Sequence, residues 1–158
     1  MATTRQQVEF HRDDRRAVVE QMMELSDGRG WINFDAGVDE DVPVPARSGL
    51  FSVFSGRGPD LPHCNWVPAA GGPTSIGVQY ASGVGAVKRL AGSGVTLPAG
   101  WRVLQDHPRR GLVIAVPVAE ATSMQDQDEV LIWLLAAGSV LTTVPLSGHW
   151  LATIVRAR

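Results

Sequence analysis

Two short segments combine residue types that could carry out nucleophilic or acid–base chemistry. His63 and Cys64 are adjacent and Asn65 follows them, which is a residue set that can supply a cysteine nucleophile and its base. Asp106 and His107 are also adjacent and could exchange protons with a substrate. Sequence neighbours seldom form a catalytic pair, because catalytic partners usually meet only on folding. A small enzyme using His63 and Cys64, or Asp106 and His107, is therefore kept as an alternative hypothesis.

Other residues favour binding of a small anionic molecule. One Gly-rich turn precedes a predicted helix, where free backbone amides could hold an anion. Adjacent arginines in a predicted hairpin turn could grip a carboxylate or phosphate in a bidentate manner. Both segments also have the composition of ordinary turns. Three aromatic residues could line a pocket around such a ligand. Together with the two turns they give the candidate ligand-binding residues, which are Trp31, Trp66, Tyr80, Ser82, Gly83, Gly85, His107, Arg109 and Arg110.

The sequence contains no recognisable metal or cofactor motif. His11, His63, His107 and His149 are the four histidines, and none has the spacing of a zinc-binding pair. The single cysteine excludes an internal disulfide and a Cys-x-x-Cys zinc knuckle. The Gly-rich turn lacks the third glycine of a dinucleotide-binding motif and the Gly-Lys pair of a phosphate-binding loop. We therefore expect neither a metal nor a cofactor.

Charge and hydropathy exclude two classes of partner. The chain has 158 residues, a formal net charge of −2 and a pI near 6.0, which argues against electrostatic binding to nucleic acid. The longest apolar run, residues 130–137, is far shorter than the roughly 18–20 residues that span a bilayer. The N-terminus lacks the apolar core of a signal peptide, and the lone cysteine fits a reducing compartment. We expect a cytoplasmic protein with no nucleic-acid or membrane partner.

Residues 75–156 show a regular pattern that predicts the order βαββαβ. Alternating or β-branched runs indicate strands, and apolar residues at helical spacing indicate helices. The predicted strands are SIGVQYA, WRVLQD, GLVIAVP and HWLATIV, and the predicted helices are VGAVKRLAG and SMQDQDEVLIWLLAAG, the second capped by Ser123. This is the order of the ferredoxin-like arrangement. The expected fold class is α+β with a ferredoxin-like core.

The N-terminal half of the chain follows a different pattern. Residues 12–27 have apolar side chains at helical spacing, which predicts an amphipathic helix. Residues 28–75 contain six of the prolines and half of the ten aromatic residues. We expect this segment to form an ordered, irregular wrap with short strands near Trp31–Phe34 and Leu50–Phe54.

These elements predict one domain over residues 1–158. The helix and wrap of residues 1–74 would precede the ferredoxin-like core of residues 75–158. Helices would cover one face of that sheet, and the other face would show apolar residues such as Val113 and Ala115. Either the wrap or a second subunit should cover this face, so a homodimer is a reasonable hypothesis.

The absence of a catalytic motif, combined with apolar surfaces, favours a non-catalytic role. Arginine outnumbers lysine 13 to 1, which indicates a GC-rich bacterial genome. The preferred hypothesis is a small bacterial module that binds a ligand or associates with itself. The alternatives are the small enzyme described above and a regulatory subunit that acts through a protein interface.

Overall fold

One seven-stranded antiparallel sheet organises the chain. The computed structural model describes residues 2–42, 61–81 and 85–158. The strands lie in the order β1-β7-β2-β3-β4-β6-β5, with every neighbouring pair antiparallel. In chain order they are β1 (Thr3–His11), β2 (Gly30–Ala36), β3 (His63–Val67), β4 (Thr74–Gln79), β5 (Arg102–His107), β6 (Gly111–Val116) and β7 (His149–Ala157).

Three α-helices accompany the sheet in the described part of the chain. They are α1 (Arg16–Glu24), α2 (Ala86–Gly92) and α3 (Met124–Val140), and a short 3₁₀ turn spans Val118–Glu120. Ser123 caps α3 as predicted, because its hydroxyl accepts from the Asp126 amide while the Asp126 carboxylate accepts from the Ser123 amide. Of the helices described here, none has both the length and the apolar character needed to cross a membrane.

The prediction of a ferredoxin-like core is wrong. The described residues form seven strands where that prediction has four, and their first element is the strand β1, not a helix. β4, β6 and β5 are neighbours, but the hairpin of β2 and β3 lies between β4 and β7. Strands from residues 1–74 and strands from residues 75–158 belong to the same sheet. The structure supports only the coarser class, α+β.

Several local predictions are confirmed. The predicted helix of residues 12–27 contains α1, and the strand predicted near Trp31–Phe34 lies within β2. β5 and β6 form the predicted hairpin, with β5 at the edge of the sheet. The strand predicted at Leu50–Phe54 lies outside the described residues.

The two faces of the sheet differ in their environment. On one face, side chains such as Phe34, Cys64 and Ile76 are completely buried, and we call this the covered face. Cys64 contacts α3, since its sulfur lies 4.0 Å from the Leu134 carbonyl oxygen. The alternate positions, which we call the outer face, carry mostly polar or small residues. Val113 is half-buried there, whereas Ala115 is buried.

α3 packs against the covered face. It contacts β3 and β4 and also packs on α1. Arg15, just before α1, donates to both carboxylate oxygens of Asp128 at 2.8 and 3.1 Å, which fixes the two helices relative to each other. Leu131 and Leu134 are completely buried, while Ile132 remains 45% exposed. The apolar surface of α3 thus extends from the core to the outside of the protein.

Candidate functional site

The three aromatic residues that were predicted to bind a ligand do not share one surface. Trp31 is half-buried on the outer face of β2, whereas Trp66 is fully buried on the covered face of β3. Tyr80 is buried just after β4, and its hydroxyl donates to Asp106 Oδ1 at 3.1 Å. Burial, followed by the charge of Asp106, raises the pKa of Tyr80. A ligand held by these three residues remains a prediction.

A carboxylate of the protein itself occupies the amides at the start of α2. Ser82 and Gly83 lie outside the described residues, and Gly85 precedes α2 with a φ of +76° that favours glycine. The first two amides of α2 donate to Asp106 Oδ1 and Oδ2 at 3.2 and 3.3 Å. Asp106 therefore supplies the negative charge that stabilises this helix terminus.

The turn between β5 and β6 brings His107, Arg109 and Arg110 together. His107 Nδ1 accepts hydrogen bonds from the amides of Arg109 and Arg110 at 3.1 and 3.2 Å. This nitrogen therefore stabilises the turn itself. Asp106 and His107 are successive residues of β5, so their side chains point to opposite faces of the sheet. Binding of an anion by the two arginines remains a prediction.

His63 and Cys64 likewise point to opposite faces of β3. His63 lies on the outer face, where its Nδ1 is 2.6 Å from Asp35 Oδ1 on the neighbouring strand. Cys64 lies on the covered face and is completely buried. Burial, and to a smaller extent the charge of Asp35, raises the pKa of the Cys64 thiol. The strand separates the thiol from the imidazole that was considered as its base.

The Cys64 thiol is therefore expected to resist alkylation in the folded protein. A thiol reagent at mildly alkaline pH should modify it only as fast as the structure opens, and completely in denaturant, because the thiolate is the reactive form. As a control, Gln79→Cys adds a second thiol at an exposed position of β4. Mass spectrometry should show rapid modification of that added thiol alone. Equally rapid modification of both thiols in the native protein would contradict the buried position of Cys64.

All four histidines lie on the outer face. His11 is opposite His149 in the β1–β7 register, and their rings meet edge to face with centroids 4.9 Å apart. His63 is on β3 and His107 is on the edge strand β5, so the four do not converge. Within the described ranges, no group of three or more His, Cys, Asp or Glu residues is placed to hold a metal ion.

A pocket lined by two tryptophans lies between α3 and the segment that leads into β5. Its volume is about 380 Å³, which is within the range of small-molecule sites. Trp101 and Trp133 meet edge to face with ring centroids 5.5 Å apart. Trp101 Nε1 donates to Glu120 Oε2 at 2.6 Å, and Trp133 Nε1 donates to the Thr96 carbonyl at 2.9 Å. Both indole rings are thus held in fixed orientations. We call this the tryptophan pocket.

The charged lining of the tryptophan pocket is entirely acidic. Glu120, Asp126 and Glu129 supply three carboxylates, and no basic side chain lines the pocket among the residues that the structure describes. Asp126 accepts hydrogen bonds from the Ser123 and Thr122 amides, which lower the pKa of its carboxyl. The remaining lining is apolar or backbone, and includes Val95, Pro98, Val130, Ile132 and Ala136.

Sequence reasoning missed this pocket, although part of its signal was present. Trp133 lies in a helix that is apolar nearly all round, which is typical of a helix buried on more than one side. Asp126 lies in the first turn of α3, where the helix dipole already favours a negative charge, so its position does not indicate a binding site. Trp101 lies 32 residues before Trp133 in the chain, and no local pattern links the two.

Comparisons of the chain with protein-family models, with curated proteins and with solved structures gave no match.

Proposed function

We propose that the protein is a non-catalytic binding module that holds a small organic cation in the tryptophan pocket. The observation that carries the proposal is the combination of aromatic walls with three carboxylates and no basic lining side chain in the described residues. A cation is attracted both by carboxylates and by the negative faces of indole rings. A ligand with an apolar body would also contact the apolar lining between these groups.

The hydrogen bonds of the three carboxylates support a binding role. The Glu120 carboxylate accepts from the Trp101 indole, and the Asp126 carboxylate accepts from the amides of Thr122 and Ser123, just before α3. These two residues are therefore held in place by the protein and contribute fixed negative charge. Glu129 accepts only a long hydrogen bond, 3.3 Å, from Gln125 among the bonds described. It is the carboxylate best placed to exchange its present contact for a bound ammonium group.

Two other sequence-based expectations stand as separate proposals. A small anion at Arg109 and Arg110 would bind at the opposite end of β5 from Trp101, so it would not compete for the tryptophan pocket. A cytoplasmic location is proposed from the lone cysteine, which fits a reducing compartment.

Titration with three ligands of similar shape and different charge tests the proposal. Phenethylammonium should change the tryptophan fluorescence of the protein in a saturable manner, whereas 3-phenylpropionate and 2-phenylethanol should bind much more weakly. Glu129→Gln keeps the shape of the side chain and should weaken phenethylammonium binding roughly tenfold, in line with loss of a charge-assisted contact. Glu20→Gln, on α1 outside the pocket, is the matched control and should bind normally.

Three results would overturn the cation proposal. The first is equal binding of the ammonium, the alcohol and the carboxylate, which would indicate a purely apolar site. The second is a fluorescence change that persists unaltered in Trp133→Phe, which would place the ligand outside the tryptophan pocket. The third is the absence of any saturable fluorescence change.

A further inference from the structure

The two edges of the sheet differ in how well they are protected against pairing with another strand. β5, at one edge, has a register irregularity between Val103 and Gln105, and such bulges discourage edge-to-edge pairing. β1, at the other edge, pairs with β7 in unbroken register from Thr3 to His11. Its nine residues include no proline. β1 is thus a long, regular edge that could accept another strand.

Among the residues that the structure describes, no strand pairs with the backbone of β1 at this edge. Just beyond the strand, the Arg12 amide donates to the Gly148 carbonyl and the Arg158 amide donates to the Ala2 carbonyl. The even-numbered residues of β1 therefore form hydrogen bonds with β7. In an antiparallel pair, such residues alternate with residues whose amides and carbonyls point away from the partner strand. The amides and carbonyls of Thr3, Arg5, Gln7 and Glu9 consequently point away from β7, towards the free edge.

We propose that β1 pairs with β1 of a second copy of this chain, antiparallel and about a twofold axis at Gln7. In that register Gln7 lies opposite the partner's Gln7, and Arg5 lies opposite the partner's Glu9. These are hydrogen-bonded pairs, each exchanging two backbone bonds. The result is a C2 dimer in which the two seven-stranded sheets form one continuous sheet.

Charge complementarity along β1 is what selects a second copy as the partner. Arg5 and Glu9 are both exposed on the outer face, at equal distances along the strand from Gln7. In the described part of the chain, neither side chain has an ion pair or hydrogen bond. The twofold axis places each arginine directly opposite a glutamate, twice per dimer. Directly opposed unlike charges stabilise strand pairs, whereas like charges destabilise them.

This dimer is independent of the tryptophan pocket. Trp101 immediately precedes β5, at the edge of the sheet opposite to β1. Dimerisation would therefore leave the tryptophan pocket of each subunit open. Loss of dimerisation should not affect cation binding, and loss of cation binding should not affect dimerisation. An interface formed by two edge strands is small, so the association is expected to be weak and reversible.

Sedimentation of the full chain and of charge-exchanged variants tests the dimer. The wild type should show a reversible monomer–dimer equilibrium between about 10 µM and about 1 mM, the range appropriate to a small interface. Arg5→Glu and Glu9→Arg should each raise the dissociation constant at least about tenfold, because like charges then oppose each other. The double variant Arg5→Glu/Glu9→Arg should restore dimerisation. Arg102→Glu, on the other edge strand, is the control and should dimerise as the wild type does.

Three results would overturn the dimer proposal. They are a wild type that stays monomeric up to about 1 mM, single variants that dimerise like the wild type, and a double variant that stays as weak as the singles. Circular dichroism of each variant establishes that it remains folded. Because these exposed side chains have no described partners within the chain, their exchange should leave the fold intact.

Discussion

Alanine at position 111 is expected to destabilise the protein by at least about 4 kcal/mol, which is exceptional for the addition of one methyl group. Gly111 has a φ of +85°, a conformation that costs a residue with a Cβ roughly 1–2 kcal/mol. An added Cβ would also lie 2.3 Å from the Val78 carbonyl oxygen and 3.1 Å from the Gln79 Cα. Both atoms are backbone of β4, so relief requires the β4–β6 ladder to separate.

Gly94→Ala is the matched control for this substitution. Gly94 has nearly the same φ, +83°, but a Cβ built there has no neighbour within 4 Å. Its cost should therefore be only the conformational part, about 1–2 kcal/mol. Urea unfolding followed by circular dichroism measures both variants. Failure of Gly111→Ala to fold where Gly94→Ala folds is the extreme form of the expected result. Equal losses at the two positions would show that the close approach to β4 has no energetic consequence.

The local elements were predictable because their signals lie within a few residues. α3 has a capping residue, acidic residues in its first turns and a long apolar run, and each signal acts over one or two helical turns. β5 and β6 flank a turn that contains Pro108 and is followed directly by Gly111, a pattern that favours the observed hairpin.

The order of the strands was not predictable, because it depends on strands with weak signals. β1 is an edge strand that buries only Phe10 fully, so its sequence TTRQQVEFH has little of the alternation that identifies a strand. β3 has only five residues, between Pro62 and Pro68. Without these two strands, β4 to β7 fitted a four-stranded sheet. β7 pairs with β1 and with β2, which are both far from it in sequence. A local sequence pattern cannot predict such pairings.

The candidate site was less predictable than the fold for the same reason. Adjacent residues on a strand point to opposite faces, so the pairs His63 with Cys64 and Asp106 with His107 were separated by folding. Asp35, which does contact His63, is 28 residues earlier in the chain. Polar groups that act together are typically neighbours across strands, and this requires knowledge of the register.

Replacing a tryptophan with phenylalanine is expected to cost more at position 101 than at position 66, although Trp66 is the more deeply buried. Trp66 is completely buried, and its Nε1–H has no hydrogen-bond partner among the described residues. An unpaired buried donor costs about 1–3 kcal/mol, so its removal offsets the loss of packing. Trp66→Phe should therefore cost no more than about 1 kcal/mol, against roughly 3–5 kcal/mol for Trp66→Ala, which removes the ring as well.

Trp101 has the opposite balance. It is 7% exposed, and its Nε1–H donates to the Glu120 carboxylate at 2.6 Å. Phenylalanine removes a hydrogen bond to a charged group, worth about 1.5–3 kcal/mol, in addition to the lost packing. Chemical denaturation of the two variants should thus rank Trp101→Phe as the less stable, by about 2 kcal/mol. The reverse ranking would mean that depth of burial outweighs hydrogen bonding at these positions.

The same two variants should differ in cation binding. Because Glu120 also lines the tryptophan pocket, Trp101→Phe should release the Glu120 carboxylate and alter cation binding, whereas Trp66→Phe should leave that binding unchanged.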